Sequence, residues 1–127
     1  MAIEKIETGA APAAIGPYSQ GVRAGDYVFF SGQIPLDPES GEVAGEDIET
    51  QTERVMANME AVLKAAGLGF DDVVKTTIYL VNLEDFSVVN GIYGRRFGQI
   101  PPARATVQVA ALPKGVKIEI DWIAYSN

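Results

Sequence analysis

Nine consecutive residues, VVKTTIYLV at 73–81, limit this chain more than any other segment. Apolar and β-branched side chains occupy positions of both parities, so a strand made from them buries both faces and cannot lie on a sheet edge. ARATVQVA (103–110) and VKIEIDWIAY (116–125) alternate as further strands joined by LPKG. Tyr18–Arg23 and Asp26–Ser31 read as two strands around a turn at Ala24-Gly25, the second carrying the aromatic and β-branched content of DYVFFS. Residues 1–17, small and broken by Pro12 and Pro17, read as an irregular arm with room for a short strand. Three Gly and two Pro in 32–45 make that segment a loop, with a turn at DPESG.

Two helices complete the pattern. From 47 to 66, Ile48, Val55, Met56, Met59, Val62, Leu63 and Ala66 recur at spacings of three and four on one stripe. Asp47 is the expected N-cap and Gly67 the stop. Glu49, Glu53, Arg54, Asn58 and Glu60 are left for solvent. A shorter helix follows Asn82, its expected cap, with Asp85 at the third position of a near capping box. Phe86, Val89, Tyr93 and Phe97 form its apolar stripe, and Ile100-Pro101-Pro102 ends it. The order β-β-α-β-α-β-β specifies a single α+β domain over 1–127, with two helices packed on one face of a mixed sheet. Strands apolar on both sides leave the other face in need of cover, which points to a closed homo-oligomer.

The 127 residues include no Cys and no His. That removes disulfides, thiolate nucleophiles, imidazole metal ligands and Ser-His relays. Ser19, Ser31, Ser40, Ser87 and Ser126 therefore lack the partner that acyl-enzyme chemistry needs. Asp37-Pro-Glu-Ser-Gly-Glu lacks the spacing of a calcium loop, and GLGF at 67–70 is a helix stop rather than a phosphate cradle. No metal and no cofactor is expected. A net charge of −7, with Arg95-Arg96 the one adjacent basic pair, disfavours nucleic acid. No apolar run reaches the ~18 residues of a membrane span, and the N-terminal segment has no apolar core of a secretory signal. A cytoplasmic location is the expectation.

Among the lysines, Lys75 on the central strand reads as a strand-end or inward salt bridge. Arg104 follows the rigid Pro101-Pro102-Ala103 lead-in at the start of a strand. It fits either a structural ion pair or a bidentate anchor for a carboxylate ligand. In 116–123, Ile118, Ile120 and Trp122 share one face and Lys117, Glu119 and Asp121 the other. Glu119 is either part of a solvated face or a carboxylate at an oligomer seam, holding a water or moving a proton.

Four ordered segments carry a resemblance: AAPAAIGPYSQGV (10–22), FSGQIPLDPESGE (30–42), QTERVMANMEAVLKAAG (51–67) and PPARATVQVAALPKGVKIEI (101–120). Together they resemble the Rid (YjgF) family of reactive-intermediate deaminases from about residue 8 to 124. The resemblance implies a chorismate-mutase-like α+β unit and a homotrimer with a central barrel and clefts between subunits. It also implies cofactor-free hydrolysis of 2-imino acids and enamines (2-iminopropanoate, 2-iminobutanoate) to 2-oxo acids and ammonia. Serine and threonine dehydratases, which depend on pyridoxal phosphate, generate such intermediates. By position, Arg104 falls on the arginine that binds the substrate carboxylate and Glu119 on the acid that orients the attacking water. Tyr18 of GPYSQ, Ser31 and Gly32 of SGQIP, and Asn90 fall on pocket positions. Thr106 stands where many members carry Cys, so any role of a reactive thiol is absent here. The segment between Asn90 and Arg104 is shorter than in several archetypes. A carboxylate-binding regulatory trimer without turnover is the alternative reading, and a ribonuclease ranks below both because the chain is acidic and has no His.

Overall fold

The computed structural model describes residues 2–126. The Asp47 carboxylate accepts a hydrogen bond from the Thr50 amide at 2.9 Å and starts helix α1, Ile48–Ala65. Such a cap satisfies one of the four free N–H groups at a helix start. The helix ends as Gly67 takes φ 77° and the Leu68 amide donates to the Leu63 carbonyl at 2.9 Å, a turn that glycine makes without steric cost. The stripe from Val55 to Leu63 is wholly buried.

The stripe packs on a six-stranded mixed sheet in the order β1-β2-β3-β6-β4-β5, made of β1 (Glu4–Ile6), β2 (Gly21–Ala24), β3 (Tyr27–Gln33), β4 (Val73–Leu80), β5 (Ala103–Gln108) and β6 (Ile118–Tyr125). The 73–80 strand is interior, one in from the β5 edge, as its composition demands, and the arm supplies the short edge strand β1. β4 and β5 run parallel through helix α2 (Phe86–Gly94), while β6 is antiparallel to both of its neighbours, β3 and β4. Val28 and Phe30 of β3, Ile78 and Leu80 of β4, and Ile118, Ile120 and Trp122 of β6 face the helices in one core. Phe30 and Trp122 stack there with centroids 4.6 Å apart. Each fully buried aliphatic side chain of this set contributes about 1.5–3 kcal/mol.

Five local expectations are corrected. Tyr18 lies outside any strand: its amide closes a tight turn on the Gly16 carbonyl at 2.9 Å, and β2 begins only at Gly21. β3 runs on to Gln33 through an irregularity after Phe30, so Gly32 belongs to a strand and not to the loop. Asn58 is fully buried, because the segment after β3 folds over α1 and the Asn58 amide donates to the Ile34 and Leu36 carbonyls. Asn82 caps a 3-10 turn, Leu83–Asp85, and Asp85 precedes α2 without a side-chain cap bond. Phe97 lies past the end of α2 but still packs edge-on to Phe70.

The opposite face of the sheet carries no helix. Tyr27 and Phe29 of β3, Val107 of β5 and Tyr125 of β6 remain 38–47% exposed there, a concentration of apolar surface that a monomer rarely leaves in water. No helix among the described residues is long and apolar enough to cross a membrane.

Candidate active site

Arg104 is in register with Thr76 on the helix side of the sheet edge. Its guanidinium donates to the Asn90 side-chain oxygen at 2.7 Å and lies over the rings of Phe86 and Tyr93, 5.3 and 5.2 Å from their centroids. Tyr93 is itself fixed: its hydroxyl and that of the buried Thr76 are 2.6 Å apart. Among the described residues no carboxylate lies within ion-pair distance of Arg104. The structural ion pair is therefore excluded among those residues. One acceptor and two aromatic faces aim the group, and the rest of its donor fork is left for an anion. A cavity of about 460 Å³ opens beside it, lined by Asn90, Tyr93, Pro101, Pro102 and Arg104 among others. Thr106, two residues on, shares the helix side of the sheet, and its hydroxyl is enclosed without a partner among the described residues.

Glu119 sits elsewhere. It alternates with the buried Ile118 and Ile120 and so projects from the helix-free face, in register with Tyr79. The group is half-buried. Desolvation, and then the nearby Asp121 charge, push its carboxyl above the ordinary glutamate value. Asp121 accepts a hydrogen bond from the Tyr79 hydroxyl at 2.9 Å, and that bond holds the phenol proton more tightly than usual. Lys75 lies half-buried on the same face, in register with Ala103 and Ile123, and makes no ion pair with a described residue. The expected salt bridge is thus corrected, because its register neighbours are apolar.

Gly32 meets Glu119 from β3: a β-carbon there would come within 2.9 Å of the Glu119 carboxyl carbon. Ser31 donates to the Ser19 carbonyl at 2.6 Å, and its amide donates to the Gln20 carbonyl. Those bonds tie down the bend that presents Tyr18, which is 53% exposed. The seven expected site residues thus divide. Arg104, Asn90 and Thr106 lie on the helix side near the β5 edge, whereas Glu119 lies on the helix-free face with Gly32 against it. Phe86, Tyr93 and Thr76 were not singled out as site residues. Phe86, Asn90 and Tyr93 recur at spacings of four and three, a signal that places all three beside one another on α2.

Residues 8–126 match the endoribonuclease L-PSP family. The chain belongs to the Rid (YjgF) family. Among curated relatives, this Rid chain is 52% identical over 121 residues to the chloroplastic Reactive Intermediate Deaminase A of Arabidopsis thaliana, covering 95% of this chain and 65% of that protein. Its fold superposes on a Rid family protein of Yersinia pestis, YyfA, with a TM-score of 0.96 and 50% identity, covering 98% of this chain and 99% of the other. Escherichia coli TdcF, solved with bound serine, superposes with a TM-score of 0.91 and 43% identity over 98% of this chain and 99% of that one. The Rid architecture expected from the sequence, two helices on a mixed sheet, is the one observed.

Proposed function

We propose that this Rid protein hydrolyses 2-imino acids and their enamine tautomers to 2-oxo acids and ammonia, with 2-iminopropanoate and 2-iminobutanoate as substrates and no cofactor. One observation carries the reading: Arg104 is braced by Asn90, Phe86 and Tyr93, and its remaining donors face no carboxylate among the described residues. The substrate carboxylate takes that place as a charge-assisted pair, worth about 1.5–3 kcal/mol. The Arabidopsis relative is named a deaminase, and the E. coli relative binds an amino acid, a small carboxylate of matching size.

Within one chain Arg104 and Glu119 point to opposite sides of the sheet, so the reaction site is composite. Arg104, Asn90 and Thr106 come from one copy, and Glu119, Gly32, Ser31 and Tyr18 from its neighbour, in a homotrimer whose helix-free faces close a central barrel. The apolar surface of Phe29 and Val107 supports that burial. Imine hydrolysis suits the inventory, because the C2 carbon is already electrophilic. Glu119 orients a water and accepts its proton as the oxygen bonds to C2. Nitrogen takes that proton back, and as the tetrahedral adduct collapses its hydroxyl proton also passes to nitrogen, C=O forms, the C–N bond breaks and ammonia leaves. Burial of Glu119 brings its basicity closer to neutral pH. Dehydratases dependent on pyridoxal phosphate would supply the substrate inside the cell.

The test couples a dehydratase that releases 2-aminoacrylate to this protein and follows 2-oxo acid formation. Acceleration that disappears in Arg104→Ala is the expected result. A folded oligomer that gives no acceleration overturns the proposal. The nuclease activity in the family's name has little chemical support in a His-free chain of net charge −7; RNA cleavage by the purified protein would reinstate it.

A further inference from the structure

A second cavity, about 440 Å³, lies between the N-terminal arm and the segment after β3, with Tyr18 and Gly32 in its wall. Through Gly32 it adjoins the Glu119 carboxyl group. Ile15, Ile34 and Leu36 supply apolar lining, and three long polar side chains also border it: Gln20, Gln33 and Lys114. These three differ in how they are used. The Gln20 side chain is consumed by the arm, accepting from the Thr8 amide and donating to the Thr8 and Pro12 carbonyls. Gln33 is 5% exposed and in register with Ile120, so its side chain turns toward the helix-covered face, away from Glu119. Lys114 stands at φ 58°, ψ 20°, a left-handed conformation that non-glycine residues seldom adopt. Its ammonium lies 3.4 Å from the Gly41 carbonyl and pairs with no carboxylate among the described residues.

We propose that this cavity is the side-chain subsite of the reaction site, and that it admits five-carbon 2-imino dicarboxylates, whose two methylenes end in a second carboxylate. The inference rests on the deaminase reading above. With the first carboxylate on Arg104 of the neighbouring copy and C2 beside Glu119, the side chain runs past Gly32 into the cavity. A methyl or ethyl group leaves most of that volume empty. The apolar walls hold the methylenes, and the Lys114 ammonium donates to the distal carboxylate. Two cationic contacts let a dianion approach a chain of net charge −7.

The experiment generates 2-iminoglutarate from L-glutamate and 2-iminohexanoate from L-norleucine with amino-acid oxidases, and follows imine loss by semicarbazide trapping. We expect kcat/KM for 2-iminoglutarate to exceed that for 2-iminohexanoate by about tenfold, the size of one charge-assisted contact. The ratio should fall towards one in Lys114→Asn, which tolerates the left-handed backbone, and below one in Lys114→Asp, which reverses the charge. A wild-type ratio at or below one, or a ratio unmoved in both Lys114 variants, overturns the subsite. Calorimetry with 2-oxoglutarate and 2-oxohexanoate separates this inference from the one beneath it. If 2-iminopropanoate is hydrolysed but 2-oxoglutarate binds no better than 2-oxohexanoate, the subsite alone fails. If no imine is hydrolysed while 2-oxoglutarate binds about tenfold tighter in a Lys114-dependent way, the subsite stands and the deaminase reading fails.

Discussion

Gly32 and Glu119 meet across the β3–β6 pairing so closely that a β-carbon at position 32 would lie 2.9 Å from the carboxyl carbon and 3.1 Å from Cγ of Glu119. Glycine is required here for space, since its φ is not in the left-handed region. Gly32→Ala must push the carboxyl group aside. A displacement of ~1 Å at a reacting group costs about 10²-fold in rate. We expect kcat for imine hydrolysis to fall by that order while calorimetric affinity for 2-oxobutanoate changes little; a matched loss of both would mean that Gly32 shapes binding instead.

Arg104→Ala removes the proposed anion clamp, and affinity for 2-oxobutanoate should drop about 10–100-fold, equivalent to the charge-assisted contact. Arg104→Lys keeps the charge but loses the planar fork that Asn90 and the two rings orient, so its affinity should fall between wild type and alanine. Calorimetry on the three proteins checks the order.

Tyr93 does two separable things. Tyr93→Phe keeps the ring beneath Arg104 but strands the buried Thr76 hydroxyl, a cost of about 1–3 kcal/mol in chemical denaturation with ligand affinity nearly preserved. Tyr93→Leu also removes the aromatic face, and affinity for 2-oxobutanoate should weaken a further ~2–5-fold, from a cation–π contact of about 0.5–1 kcal/mol. Equal affinity in the two variants would show that the ring does not position the guanidinium.

The pH dependence has a definite sign. Burial first, and Asp121 second, raise the Glu119 carboxyl in the folded state. The folded protein therefore holds this proton more tightly than the unfolded chain does. The associated stability is complete below the unfolded-state glutamate value and is lost as pH rises through the folded value. Glu119→Gln should accordingly gain stability over wild type near neutral pH and none in acid, measured by denaturant titration at both. In its proposed role as the base that takes the water proton, Glu119 should give a rate that climbs with pH above the ordinary carboxylate range. Asp121→Asn should move that limb to lower pH.

Phe29, 47% exposed on the helix-free face, tests the assembly. Phe29→Glu should yield a smaller species in sedimentation and lose imine hydrolysis with it, because Arg104 and Glu119 then have no shared cleft. An active monomer would contradict the composite site.

Periodicity was enough to read both helices and the interior strand at 73–80, because side-chain spacing records which positions face a common core. It misjudged Asn58, which lies beside the apolar stripe of α1: whether a polar position there meets water depends on the segment after β3 folding across it. Tyr18 was misread as part of a strand because an aromatic residue before β2 carries no mark of the Gly16 turn that holds it outside. The motif around Arg104 was legible, whereas its aromatic bracing was hidden in residues read as core.

By itself, the sequence determined the element order, the amphipathic faces, a chemistry without thiol or imidazole, and the family to which the chain belongs. Tertiary structure alone decided that Arg104 and Glu119 leave the sheet on opposite sides. Alternation within each strand is local and can be counted along the chain, but the relation between two strands depends on their pairing register and on which face the helices cover, and both arise only when distant segments pack.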